Sequence, residues 1–219
     1  MALCAFAGVE MKAVENAMIF SIVQRKGGVG KTTTAIHLAT YLQTLAPTLL
    51  VDGDAIRSAT KWSLRGSGKG LPFKVVSYAQ LARFASQHAY ILIYTEGNPT
   101  DDDFRDTAQN SDMLIIPAVP ESVATDGLTD TLAKLHDMQN DKYRVLLTMV
   151  PPKPRTEGAA LREMLIEQQI RVFTAEIPRL AAFEKAAAEG VPVNAVQNDR
   201  NAARAWAAYE AAAKEALDG

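Results

Sequence analysis

The sequence predicts an α/β fold, a doubly wound and mostly parallel sheet flanked by helices. Three observations predict it. Apolar runs such as Thr48-Leu49-Leu50-Val51 and Met113-Leu114-Ile115-Ile116 are near-continuous rather than alternating, as parallel strands covered on both faces require. These runs alternate with helical stretches along the whole chain. A glycine-rich segment, Lys26-Gly27-Gly28-Val29-Gly30-Lys31-Thr32-Thr33, lies between the first run and the first helix, at the carboxyl end of a strand where open sheets of this kind bind ligands.

Taken in order, Met18-Ile19-Phe20-Ser21-Ile22-Val23 opens the first strand, predicted over 18–24, and the glycine-rich segment leads into a helix over 32–45. Strands follow at 48–52, 73–76, 90–94, 112–117, 143–149 and, on a weaker signal, 171–174. Helices are predicted at 78–87, 101–109, 121–139, 157–168, 180–189 and 199–217. Asp101-Asp102-Asp103 reads as the acidic first turn of its helix, favoured by the helix dipole. Pro151-Pro152-Lys153-Pro154 reads as a rigid loop after a strand, because the alternation resumes beyond it.

At 219 residues and 48% hydrophobic, the chain can bury a sizeable core, and residues 18–219 read as one domain. Residues 1–17 read as an extension; the apolar run from Ala2 to Val9 has no basic segment before it and makes a poor signal peptide. No stretch approaches the ~20 apolar residues that span a bilayer. The single cysteine, Cys4, excludes a disulfide within the monomer and suits a reducing cytoplasm. A net charge of −2 argues against a globally basic nucleic-acid coat, so any DNA binding must come from a local patch.

A phosphate loop aims several backbone N–H groups at one anion, and a helix N-terminus facing the same anion adds its dipole. Gly27, Gly28 and Gly30 can supply the turn, and Val29 lies among them. Lys31 would reach the β- and γ-phosphates, the Thr32 hydroxyl would bind Mg²⁺, and Thr33, like Val29, is a further nucleotide-binding candidate. The ordinary signature wants glycine where Arg25 stands, so it fails in the strict form. Leu49-Leu50-Val51-Asp52-Gly53-Asp54 ends a buried strand with two carboxylates suited to metal-bound water and to water activation.

Lys26-Gly27-Gly28-Val29-Gly30-Lys31-Thr32 fits the deviant pattern Lys-Gly-Gly-x-x-Lys-[Ser/Thr] and resembles the ParA/MinD family of Walker-type ATPases, which are phosphate-loop NTPases. The resemblance implies that Lys26 reaches the phosphates held by a partner subunit and that Asp54 positions the attacking water; Asp52, by its place at the strand end beside the loop, is the candidate to support Mg²⁺. Ala55 stands where the family's Asp-x-Asp-Pro has proline. The family's strand-end acid is replaced: Tyr90-Ile91-Leu92-Ile93-Tyr94-Thr95-Glu96 puts a phenol, neutral at pH 7, where Mg²⁺ would have a carboxylate nearby. Glu96 or Asp52 would have to substitute, and ATP binding with slow hydrolysis is the expectation.

Leu146-Leu147-Thr148-Met149-Val150 resembles the strand before the family's base-binding loop, and Glu176-Ile177-Pro178-Arg179 its tail segment, which makes Pro178 a nucleotide-binding candidate. The likeness runs over residues 18–217 and extends to the carboxysome-positioning branch. It implies a cytoplasmic, nucleoid-associated switch that forms a homodimer on ATP and Mg²⁺, binds DNA without sequence preference, and moves a plasmid, chromosome or protein organelle through a ParB-type or cargo adaptor. On the last helix, Ala202, Trp206, Tyr209, Ala213 and Leu217 fall on one face and Arg200, Arg204 and Lys214 on the opposite one, a candidate phosphate-binding face.

The alternatives are a membrane-associated MinD-like switch, disfavoured because Ala211 to Gly219 offers little bulky apolar surface, and a metabolic ligase of the dethiobiotin-synthetase type, disfavoured by Lys26. His37, where the family usually has asparagine, reads as packing or capping. His88 and His136 lack a partner at zinc-ligand spacing.

Overall fold

The computed structural model describes residues 17–68, 70–95, 99–121 and 125–218; the extension with Cys4, and Glu96, lie outside them. Among the described residues, seven strands form one parallel sheet: β1 (Met18–Ile22), β2 (Thr48–Gly53), β3 (Lys74–Ser77), β4 (Tyr90–Thr95), β5 (Met113–Ala118), β6 (Tyr143–Val150) and β7 (Val172–Pro178). Their spatial order is β3-β2-β4-β1-β5-β6-β7, so the chain reverses direction across the sheet at β1. The phosphate loop leaves β1 at that switch point.

Among the described residues, eight α-helices cover the two faces: α1 (Lys31–Gln43), α2 (Ser58–Arg65), α3 (Tyr78–Phe84), α4 (Asp101–Gln109), α5 (Thr125–Asp137), α6 (Glu157–Glu167), α7 (Ala181–Glu189) and α8 (Ala202–Leu217). Successive strand residues serve opposite layers, as the pleat dictates. Phe20, Ile22, Leu50, Leu92, Tyr94, Ile115 and Leu146 pack with α1, Trp62 of α2, Ala182 of α7 and Tyr209 of α8. On the other face Leu114, Ile116, Val145 and Leu147 meet Phe104, Leu128 and Leu161 of α4, α5 and α6, while Leu49, Val51 and Ile91 meet Leu81 of α3.

The expected acidic helix start is present: Thr100 caps α4, its Oγ1 accepting from the Asp103 amide at 3.2 Å. Two readings are corrected. The stretch between β2 and β3, read without a helix, contains α2, which buries only Ala59 and Trp62. The last helix begins at Ala202 rather than 199, so Arg200 precedes it and shares no helical face with Arg204 and Lys214.

Candidate nucleotide site

The loop turns because two of its glycines lie in the left-handed region, Gly28 at φ 75° and Gly30 at φ 89°. At Gly30 space is not the constraint, since an added Cβ would sit 3.7 Å from the Thr148 and Met149 side chains; the backbone angle is. Gly30 caps α1 without any side chain, which leaves the amides of the first helical turn to a ligand. Behind the loop, Val29 packs on Val119, and the Val29 carbonyl accepts from Thr148 Oγ1 at 2.8 Å.

Lys31 is buried with its ammonium inside the loop, donating to the carbonyls of Gln24 at 3.0 Å and Lys26 at 2.6 Å. Burial pulls its pKa down to about 8, against the opposing pull of Asp54. Gln24, which sequence reasoning missed, fixes the entry to the loop: Nε2 donates to the Pro117 carbonyl at 3.3 Å and Oε1 accepts from Thr131 Oγ1 of α5 at 3.0 Å. Lys26 is half-buried beside α5, where a Cβ added to Gly127 would come within 2.9 Å of the Lys26 Cβ. Arg25, in the place of the ordinary glycine, pairs with Asp101 of α4 at 2.8 Å.

The two strand-end acids take different partners. Asp52 Oδ2 accepts from the Thr60 amide at 2.7 Å and from Thr60 Oγ1 at 2.6 Å, so it holds the first turn of α2. Asp54 Oδ2 accepts from Ser58 Oγ at 2.9 Å and from the Tyr94 hydroxyl at 2.9 Å. Burial opposes ionisation of Asp54, but the bonds from Ser58, the Ile56 amide and Tyr94, with the Lys31 charge, outweigh it and hold the carboxyl below its ordinary value. Tyr94 itself is pushed up to about 12, chiefly by burial, and is a neutral phenol at pH 7. Thr32 Oγ1 donates to that phenol at 2.9 Å.

A cavity of about 400 Å³ opens beside the loop, lined by Gly30, Thr33, Thr148, Met149, Pro178 and Tyr209 among others. Its size and mostly apolar lining suit a flat organic group with a few polar contacts. Pro178 is thus brought to the loop as expected, while Met149 and Arg179 join it from the ends of β6 and β7. His37 lies wholly buried under the same region, Nδ1 on the Thr33 carbonyl at 2.7 Å and Nε2 accepting from the Val193 amide at 3.0 Å. The packing role expected of it is the one it has.

The three basic candidates part company. Lys214 pairs with Glu210 at 2.7 Å. Arg204 instead lines a second groove, about 410 Å³, with Lys153, Arg155 and Arg179, next to the first cavity through the shared Pro178, Arg179 and Leu180. Arg200 lies outside that lining.

The residues fit ATP with Mg²⁺. Loop amides and the Lys31 ammonium match phosphate oxygens, the Thr32 hydroxyl is a hard oxygen ligand, and the apolar cavity lies where the phosphates would lead the base. Comparison with known proteins shows the coarser property, nucleotide binding. The family model described as CobQ/CobB/MinD/ParA nucleotide binding domain matches residues 20–193. A "Maintenance of carboxysome distribution protein A" of Gloeobacter kilaueensis is 32% identical over 202 residues, 90% of this chain and 93% of that protein. A "Protein ParA" of Rhizobium radiobacter is 27% identical over 178 residues, 74% of this chain and 78% of its own length. A plasmid partition protein of Borrelia burgdorferi B31, solved with AMPPNP, shares the fold with a TM-score of 0.71 at 20% identity, covering 92% of this chain and 99% of its own. The chain belongs to the CobQ/CobB/MinD/ParA family of nucleotide-binding domains.

Proposed function

We propose that this protein is an ATP-driven positioning switch. It binds ATP with Mg²⁺, pairs with a second copy of itself, holds DNA without reading sequence, and distributes a cargo through an adaptor before slow hydrolysis releases the pair. The carboxysome name of the relative that covers nearly the whole chain favours a protein organelle as that cargo.

The observation that carries the reading is the pair of lysines on one loop. Lys31 has its ammonium inside the loop, on the carbonyls of Gln24 and Lys26, where it would serve the protein's own phosphates. Lys26 belongs to the same loop and flanks α5; in this reading it would serve phosphates presented by a second subunit. Asp54, ionised and fixed by Ser58, would orient the attacking water. When bound, Mg²⁺ would neutralise charge on the phosphate oxygens.

Lys31→Ala is expected to abolish nucleotide binding, and Lys26→Ala to spare binding while abolishing ATP-dependent dimerisation. Equilibrium nucleotide binding and light scattering with and without ATP measure the two. A Lys26 variant that dimerises like the parent overturns the second-subunit role.

A further inference from the structure

Tyr94 stands where a carboxylate is expected, and the fold answers the missing charge with a chain of side chains. The residue sits near the end of β4, between Ile22 of β1 and Asp52 of β2, and is 4% exposed. Thr32 Oγ1 donates to the phenol oxygen at 2.9 Å, and the phenol donates to Asp54 Oδ2 at 2.9 Å. The directions are fixed by chemistry. An ionised carboxylate only accepts, so the phenol proton points to Asp54 and the phenol oxygen must take the proton of Thr32. That leaves the lone pairs of Thr32 Oγ1 for a cation.

The far end of the chain is equally held. Ser58 Oγ donates to the same Oδ2 at 2.9 Å and the Ile56 amide to Oδ1 at 3.3 Å, so Asp54 cannot swing without losing partners. Hydrogen bonds in series polarise one another in a dry site, and a partner behind a metal ligand sets that ligand's orientation and basicity.

We propose that Tyr94 is a positioning residue that relays the charge of Asp54 to the Thr32 hydroxyl, supplying Mg²⁺ affinity that a carboxylate at this strand end would supply directly. The proposal rests on the reading of Thr32 as the Mg²⁺ ligand of an ATP site. One carboxylate then serves both the cation and the attacking water, so Mg²⁺ affinity falls whenever Asp54 is altered.

The test is equilibrium binding of a non-hydrolysable ATP analogue to the full chain, titrated with Mg²⁺ and repeated without metal. Tyr94→Phe keeps the ring and removes the hydroxyl; it is expected to raise the Mg²⁺ concentration for half-maximal binding about 10- to 100-fold and to leave metal-free affinity unchanged. Asp54→Asn is expected to shift the midpoint the same way, and the double variant no further than the larger single, because both break one chain. A Tyr94→Phe midpoint equal to the parent's, or single shifts that add fully, overturns the relay. Should Tyr94→Phe fail to fold, an unshifted midpoint in Asp54→Asn overturns it as well. A parent that binds the analogue with no response to Mg²⁺ overturns the ATP·Mg²⁺ site itself, which distinguishes failure of the site from failure of the relay.

Discussion

His37 ties the first helix of the phosphate loop to the segment before α8, using both ring nitrogens. Nδ1 donates to the Thr33 carbonyl and Nε2 accepts from the Val193 amide, so the ring is the neutral tautomer protonated at Nδ1. Tyr209 stacks on it at 4.8 Å, and Trp62 and Phe183 meet it edge-on at 6.0 and 5.3 Å. Burial pushes its pKa down to about 4, and the bond to Thr33 opposes this only partly. Protonating Nε2 would set one donor against another. Between the ordinary pKa of about 6.5 and the folded value of about 4, the unfolded chain binds a proton that the folded chain refuses. Stability from this group is therefore complete above about pH 6.5 and is lost as pH falls to 4, a total of about 3 kcal/mol. Urea unfolding of the parent and of His37→Asn at pH 7 and pH 4.5 measures it. The expected result is a steeper acid loss in the parent, and equal slopes would contradict the buried-neutral assignment. At this scale the loop lysines and Thr32 stood out by their fixed spacing, and Asp54 and the departure at Tyr94 by the family resemblance; the structure brings Thr32, Tyr94 and Asp54 into one chain of hydrogen bonds. Gln24, Ser58 and Thr60 were not legible, since nothing in their spacing says that a distant side chain will meet them.

Among elements, α2 shows why some structure escapes a reading of apolar period. Its eight residues bury only Ala59 and Trp62, too few to declare a helical face. Tertiary partners hold it instead: Asp52 at its first turn, Trp62 Nε1 on the Val191 carbonyl at 3.1 Å, and Arg65 Nε on the Ala187 carbonyl at 2.5 Å. Asp52, read from the sequence as an Mg²⁺ residue, also anchors this helix through Oδ2. The β7 strand was faint for a related reason. It pairs with β6 through two register irregularities, and its Thr174 and Ala175 amides are taken by Glu215 of α8 at 2.7 and 3.1 Å rather than by a further strand. The α2–α7 contact itself depends on Gly190, at φ 71°, whose added Cβ would press on the Gly66 amide and lie 2.6 Å from the Arg65 carbonyl carbon and 2.7 Å from the Trp62 oxygen. Backbone cannot yield as a flexible side chain can. Gly190→Ala is expected to destabilise the fold by roughly 1–3 kcal/mol, from the positive φ together with overpacking. Chemical denaturation checks this, and a loss within about 0.5 kcal/mol would mean that the two helix ends part freely.

For the whole molecule, the charge balance decides how DNA could be held. A chain of net charge −2 repels a polyanion on average, so the proposed DNA binding needs a concentrated patch, which the proposed pairing would double. The groove of Lys153, Arg155, Arg179 and Arg204 concentrates four cations, although Glu121 already partners Arg179 and Glu176 lies in the same lining. Sequence reasoning put the patch along α8, with the surroundings of Lys153, Arg155 and Arg179 as the alternative; a helical wheel cannot show that the Pro151–Pro154 loop and the end of β7 join Arg204 in one groove. DNA binding is expected to require ATP, to ignore sequence, and, for ~4 neutralised phosphates per dimer, to weaken with a log-affinity slope of about −3 to −4 against log salt. Arg204→Ala removes one cation from each subunit and is expected to flatten that slope by about 2, equally on unrelated duplexes, since phosphate contacts carry no base information. Lys214→Ala is the contrast: its ammonium is engaged by Glu210 at 2.7 Å on an exposed turn of α8, and its loss is expected to leave the slope unchanged. Gel shifts with two unrelated duplexes over a range of salt measure both. A flattened slope in the Lys214 variant with an unchanged one in the Arg204 variant would move the DNA surface away from the groove and back to the outer face of α8.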